Sequence, residues 1–150
     1  MYNVFTMKSG KVYSVCESEK EAVREKLRKS LQRHPEISFA YLHGSFVKRE
    51  GFRDIDVAVY LKNGAPRASL EYELGLEAKL MRITGRYTID VRVLNKAPLS
   101  FRYHVLREGI LLFAREKEER AEFQEATLSA YFDFAPYRNL YLKETLGRGV

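Results

Sequence analysis

The order of apolar and polar positions predicts helices and strands that alternate along the chain. Near the start, apolar residues recur at every fourth position, as in a helix with one narrow buried face: Val23, Leu27 and Leu31. We expect this helix to span residues 18–34, with a capping box from Ser18 to Glu21 at its start. Pro35 should end it, because proline cannot continue a helix.

Further along, period-two alternation or short apolar runs predict four strands: residues 37–42, 54–61, 87–94 and 110–113. Helical segments are expected at residues 69–83, 101–107 and 115–146, the last interrupted at Pro136, with a loop at 63–66. A short hairpin around Gly10 would join residues 2–7 to 11–15. This alternation predicts an α/β (α+β) fold with a mixed sheet flanked by helices, in a single domain spanning residues 1–150.

Composition narrows the class of protein. No apolar run is long enough to span a bilayer and the N-terminus lacks the apolar core of a signal peptide, so we expect a cytoplasmic protein without a membrane partner. The single cysteine, Cys16, fits a reducing compartment, and we interpret it as a small packing residue. The net charge of +6 favours an anionic partner such as a nucleotide, a nucleic acid or an acidic protein surface.

Three aspartates form the main chemical signal. Asp54 and Asp56 lie two apart on a predicted strand, so both side chains leave the same face, and Asp90 repeats the pattern in the next strand. Clustered carboxylates repel one another unless a cation compensates them. If the two strands pair, the three acids converge, and hard oxygen ligands of this kind suit Mg²⁺ or Mn²⁺. Solvated acids on an exposed sheet face are the alternative interpretation.

The pair Gly44-Ser45 favours the metal interpretation. It follows an apolar strand, where glycine permits a close backbone approach and the next turn can present N–H groups to a phosphate. An apolar strand, Gly-Ser, Asp-x-Asp, a helix and a further strand carrying an aspartate form a composite pattern that is much more specific than any of its parts.

At these residues the chain resembles the polymerase-beta-type nucleotidyltransferases, and in size the minimal nucleotidyltransferases (MNT) of prokaryotes. The similarity is carried by residues 43–57, 89–95, 97–100 and 105–113, and more loosely by 131–137. It implies a polymerase-beta-like fold with a core at about residues 36–115 and a helical C-terminal extension at 115–150. In two respects the sequence departs from the family pattern: only eight residues separate Ser45 from Asp54, and Val47 and Arg49 replace a small residue and a glycine.

The resemblance also implies an activity. Many such proteins are antitoxins that transfer AMP from ATP to a tyrosine of a HEPN-domain RNase toxin and so neutralise it. Asp54, Asp56 and Asp90 would then bind Mg²⁺ or Mn²⁺ and form the catalytic triad, and Gly44 and Ser45 would bind the nucleotide phosphates. Lys48 and Arg49 would either neutralise phosphate charge or lie on a solvated helix face.

Two other functions stay open from the residues alone. The chain could neutralise its toxin by occlusion without chemistry, or it could transfer nucleotides to RNA or to a small molecule. We do not expect nucleic acid as a direct partner, since no separate binding domain is evident; an oligomer is possible. The three histidines are interpreted as structural or surface residues: His34, His43 and His104. The aromatic residues of the tail predict either packing of a terminal helix or an association surface: Tyr131, Phe132, Phe134, Tyr137 and Tyr141.

Overall fold

Helices and strands alternate along the chain as predicted. The computed structural model describes residues 11–63 and 70–145, with side chains as far as residue 134. The strands are β1 (Tyr13–Ser14), β2 (Ile37–His43), β3 (Gly51–Phe52), β4 (Asp54–Leu61), β5 (Thr88–Val93) and β6 (Ile110–Ala114). The helices are α1 (Glu17–Gln32), α2 (Ser45–Lys48), α3 (Leu70–Thr84), α4 (Leu99–Glu108) and α5 (Lys117–Thr145).

Four strands form the central sheet, in the order β5-β4-β2-β6. β4 and β5 are parallel, whereas β2 is antiparallel to both β4 and β6, so the prediction of a mixed sheet is confirmed. β1 pairs with β3 in a separate two-stranded sheet, with Tyr13 opposite Phe52. The first arm of the predicted hairpin, residues 2–7, and Gly10 lie outside the described residues, as do positions 64–66 of the predicted loop.

Both faces of the central sheet are covered by helices. On one face, α1 and α3 bury the larger apolar cluster, and the predicted stripe of α1 belongs to it. Alternate residues of β4 reach the same cluster with no exposed surface: Ile55, Val57 and Val59. On the other face, α4 and α5 cover a smaller cluster through Val105 and Phe123, against Phe39, Tyr41 and Ala58. Because β2 contributes to both clusters, all of its residues are buried.

The predicted start of α1, at residue 18, is one residue too late, and the predicted capping box is wrong. The helix begins at Glu17, and the extended residue before it is Cys16, whose carbonyl accepts the Lys20 N–H at 3.0 Å. Ser18 therefore lies inside the first turn, where its hydroxyl contacts the Cys16 sulfur at 3.1 Å instead of capping the helix. Cys16 is exposed, so its interpretation as a packing residue is also wrong.

The predicted interruption at Pro136 is wrong as well, since α5 runs continuously from Lys117 to Thr145. A proline ring fixes φ near the helical value and removes one N–H, so a helix can continue past it with one hydrogen bond fewer. Before that point, Tyr131 stacks on Tyr103 of α4, with ring centroids 3.6 Å apart. Phe132 and Phe134 are 59% and 51% exposed. The tail thus packs on Tyr103 of α4, where Tyr131 stacks and the largely exposed Phe132 meets the ring edge-on at 6.3 Å between centroids.

Two glutamates of α3 protect the open edge of the sheet. β5 is an edge strand, and the outward N–H groups of such a strand need partners other than a further strand. A carboxylate oxygen of Glu77 accepts the N–H of Val91 at 2.9 Å, and Glu73 accepts that of Val93 at 2.8 Å. Because Glu77 is only 4% exposed, it connects α3 to β5 from within the core.

Replacing Glu77 by alanine should therefore destabilise the fold. The change leaves the Val91 N–H without its acceptor, which costs about 1–3 kcal/mol. Glu77→Gln keeps an acceptor oxygen and should cost less, and Lys79→Ala, at an exposed position of the same helix, is the control. Urea unfolding monitored by circular dichroism measures the differences. A Glu77→Ala protein as stable as the Lys79→Ala protein would contradict this role.

Candidate active site

Three strand ends meet at one end of the sheet and bring the predicted site residues together. β4 and β5 are parallel and both begin there, while the antiparallel β2 ends there. Asp56 lies directly opposite Asp90 on one side and directly opposite His43 on the other. His43, Asp56 and Asp90 therefore form one row across three strands, about 4.8 Å apart from strand to strand.

The acids lie on the face of the sheet that α4 and α5 cover, beyond the part that these helices bury. Ala58, two residues further along β4, is completely buried in the smaller cluster. Asp54, Asp56 and Asp90 are half-buried, whereas their neighbours Ile55 and Val57 face the larger core. The strand alternation thus places the apolar side chains on one face and the three acids on the other, half-open face, as predicted.

Gly44 lets the backbone of the next turn approach the acids. Its φ of +79° lies in a region that side chains other than glycine rarely adopt. A Cβ placed on Gly44 would lie 3.1 Å from Cγ of Asp56 and would collide with the Oδ2 atom of the same residue. The Asp56 carboxylate therefore occupies the space that any other residue at position 44 would need.

The turn after Gly44 is the single-turn helix α2, which begins at Ser45. The first N–H groups of a helix have no acceptor within it and can face an anion. At its other end, the buried Lys20 of α1 donates hydrogen bonds to the carbonyl oxygens of Phe46 at 2.9 Å and Arg49 at 2.6 Å. Lys20 thus anchors the C-terminal end of α2 to α1 and fixes the position of the Gly44-Ser45 turn.

Lys20 was not predicted from the sequence, although a signal was present. It stands three residues before Val23, so it belongs to the same helical stripe as Val23, Leu27 and Leu31. A lysine on a buried stripe needs carbonyl or carboxylate partners. Lys48 and Arg49, which were considered as phosphate ligands, are both exposed, and Lys48 forms an ion pair with Glu108 of α4.

His43 is the buried member of the polar row. Its side chain is 7% exposed, and its ring meets the Phe101 ring edge-on at 5.4 Å between centroids. Burial lowers the pKa of His43 to about 4, with the charges of His104, Asp90 and Arg92 as lesser influences. Its interpretation as a structural residue agrees with this burial. His34 faces Glu36 at 3.4 Å and His104 is exposed.

The donor chemistry of the site fits a divalent ion that arrives with a nucleotide. Within residues 11–63 and 70–145, no three histidine, cysteine, aspartate or glutamate side chains are grouped closely enough to hold a metal as they stand. Mg²⁺, however, needs only one or two carboxylates and takes its other ligands from water and substrate phosphates. Asp56 and Asp90, adjacent across two strands, can supply that pair.

Comparison with known proteins identifies the family. Residues 25–118 match the model of the polymerase beta nucleotidyltransferase family, which is more than half of the chain. The chain belongs to this nucleotidyltransferase family. No curated protein sequence matches it significantly. Among the described residues, no helix is long and apolar enough to cross a membrane.

Solved structures share the fold at low sequence identity. A chain from the complex of a tri-AMPylated HEPN toxin of Shewanella oneidensis with an MNT antitoxin is 21% identical, with a TM-score of 0.67. The match covers 85% of this chain and 98% of that one. A chain of the MntA-HepT toxin–antitoxin is 20% identical over 84% of this chain and 98% of that one, with a TM-score of 0.66. A chain of a toxin–antitoxin structure with AMP-PNP is 22% identical over 82% of this chain and 98% of that one, with a TM-score of 0.68.

Substituting Gly44 should disable the candidate site without unfolding the protein. Gly44→Ala forces either the positive φ or the Asp56 carboxylate to change, so we expect nucleotide affinity to fall by at least about tenfold. The control is Gly75→Ala in α3, where a Cβ meets nothing within 4 Å and helix propensity improves. Calorimetric titration with ATP and Mg²⁺ compares the two. Equal affinities would show that the close approach at Gly44 has no role in binding.

Proposed function

We propose that this protein is a metal-dependent adenylyltransferase that transfers AMP from ATP to a tyrosine of a HEPN toxin and so neutralises it. The proposal rests mainly on the row of His43, Asp56 and Asp90 across three adjacent strands, because the Gly44-Ser45 turn directly follows His43. The family supports nucleotidyl transfer as the reaction. The structures of similar fold that contain an AMPylated HEPN toxin and AMP-PNP support the acceptor and the nucleotide.

The residues of the site would form two groups, one that binds the leaving phosphates and one that binds the metal ions. Gly44 and Ser45 would hold the β- and γ-phosphates through backbone N–H groups and the serine hydroxyl, which favours departure of pyrophosphate. Asp54, Asp56 and Asp90 would hold the divalent ions. When bound, such ions supply positive charge to the phosphates and lower the pKa of the attacking hydroxyl.

Transfer of AMP would exchange one phosphorus–oxygen bond for another. The phenolic oxygen of the acceptor forms a bond to the α-phosphorus, and the bond from that phosphorus to the bridging oxygen of the β-phosphate breaks. Pyrophosphate leaves with the electron pair. Asp90, at the start of β5 and away from the phosphate turn, would accept the phenol proton. Asp90 is only half-buried, and an acceptor residue of another protein would need such exposure to reach it.

Nucleotide binding should depend on metal. Because three carboxylates share one half-buried face, a triphosphate that binds without cations would meet strong like-charge repulsion. We expect calorimetry to show ATP binding with Mg²⁺ or Mn²⁺ that weakens sharply when EDTA removes the ion. Binding of equal strength in EDTA would argue against the triad as the metal site.

A substitution of Asp90 should reduce the transfer of AMP but leave binding of the toxin intact. Asp90→Asn keeps the size of the side chain but removes the charge and the proton acceptor, so transfer should fall by at least about a hundredfold. The variant should still co-purify with the toxin. Intact-mass spectrometry of the toxin after incubation with ATP and Mg²⁺ measures transfer, and Asp133→Asn, at an exposed position of α5, is the control.

The same measurement distinguishes the alternatives. A toxin that is inhibited by wild-type protein but never gains an adenylyl group would exclude the enzymatic proposal and favour occlusion. A protein that adenylylates RNA or a small molecule, but not the toxin, would retain the reaction and change the acceptor.

A further inference from the structure

His43 carries an unsatisfied polar atom inside the site. Within the described residues, its Nε2 atom is buried and has no hydrogen-bond partner. Leaving a buried nitrogen unpaired is unfavourable, and such atoms in native proteins usually have a specific reason. Packing does not supply one here. The ring meets Phe101 edge-on, and a phenylalanine would make this contact equally well without an unpaired nitrogen.

The position of His43 points to the nucleotide. It immediately precedes Gly44-Ser45, and in the sheet it stands beside Asp56 in the row that ends at Asp90. A triphosphate held by the Gly44-Ser45 turn and by ions on the carboxylates would therefore pass alongside this imidazole. Nε2 is buried from water and unpaired, so its hydrogen-bonding capacity remains for a bound group.

The chemistry of the bound group decides which nitrogen of the ring carries a proton. A neutral imidazole has one N–H and one acceptor nitrogen. Phosphate oxygens in the site are acceptors only, so they select the tautomer with the proton on Nε2.

We propose that the Nε2–H group of His43 donates a hydrogen bond to a phosphate oxygen of the bound nucleoside triphosphate. This inference rests on the proposed function, because it presupposes that a nucleotide occupies the site. His43 would then bind substrate as well as pack in the protein interior. β2 would contribute the His43 side chain to the site and also lead into the Gly44-Ser45 turn.

Calorimetry on three variants tests the proposal. His43→Phe keeps the aromatic contact with Phe101 but removes the donor, so the affinity for ATP with Mg²⁺ should fall by about tenfold or more. His43→Gln restores a donor and should recover part of the affinity. His104→Phe, on the exposed surface of α4, should bind like wild type. Inorganic tripolyphosphate with Mg²⁺ should show the same loss for His43→Phe, because the contact is to phosphate.

A second measurement uses the wild-type protein and does not depend on variants that fold. In protein labelled with ¹⁵N-histidine, the Nε2 resonance of His43 should move when AMP-PNP and Mg²⁺ are added, and it should show an attached proton. The His43→Phe spectrum identifies the resonance, and a His43→Gln spectrum does so if the phenylalanine protein does not fold.

Several outcomes would overturn the assignment. Wild-type affinity in His43→Phe together with an unmoved Nε2 resonance would leave His43 as a packing residue only. A loss seen with ATP but not with tripolyphosphate would move the contact to the nucleoside. If the wild-type protein itself bound no nucleotide, the proposed function would fail first. Binding by wild type with no effect at His43 would refute this inference alone.

Discussion

The site depends on the in-register parallel pairing of β4 with β5, which sets two carboxylates side by side. Carboxylates side by side on neighbouring strands, which lie about 4.8 Å apart, repel each other unless a cation or a hydrogen bond compensates them. The apolar residues between them oppose that repulsion, because Ile55, Val57 and Val91 are almost completely buried on the opposite face. The core thus fixes the register that sets the two acids side by side.

The neighbouring elements then bring the phosphate-binding turn to the same place. β2 runs antiparallel to β4, so its last residue reaches the first residues of β4, and Gly44 can turn only because it has no Cβ to meet Asp56. Lys20 and the ion pair of Lys48 with Glu108 fix the short helix α2 to α1 and α4. The turn is thus held from both sides of the sheet, which is what a preorganised phosphate site requires.

Local patterns in the sequence predicted much of this arrangement. The alternation in β4 and β5 distinguished the core residues from the acids, and the apolar stripe of α1 lies where its period placed it. The errors came where two local signals competed: Ser18 has capping-box spacing, yet Cys16 ends the extended segment, and Pro136 is tolerated within α5. Glu77 and Lys20 were missed because their partners lie on other elements, and periodicity carries no information about such contacts.

We propose that metal and nucleotide bind between the Gly44-Ser45 turn and the three acids. A crystal structure with AMP-PNP and Mn²⁺ tests this placement directly, because anomalous diffraction locates the metal. We predict an anomalous peak within about 2.3 Å of carboxylate oxygens of Asp54, Asp56 or Asp90, shared with the triphosphate, whose terminal phosphates contact the Gly44-Ser45 turn. Manganese and nucleotide bound elsewhere, with these acids remote from both, would contradict it.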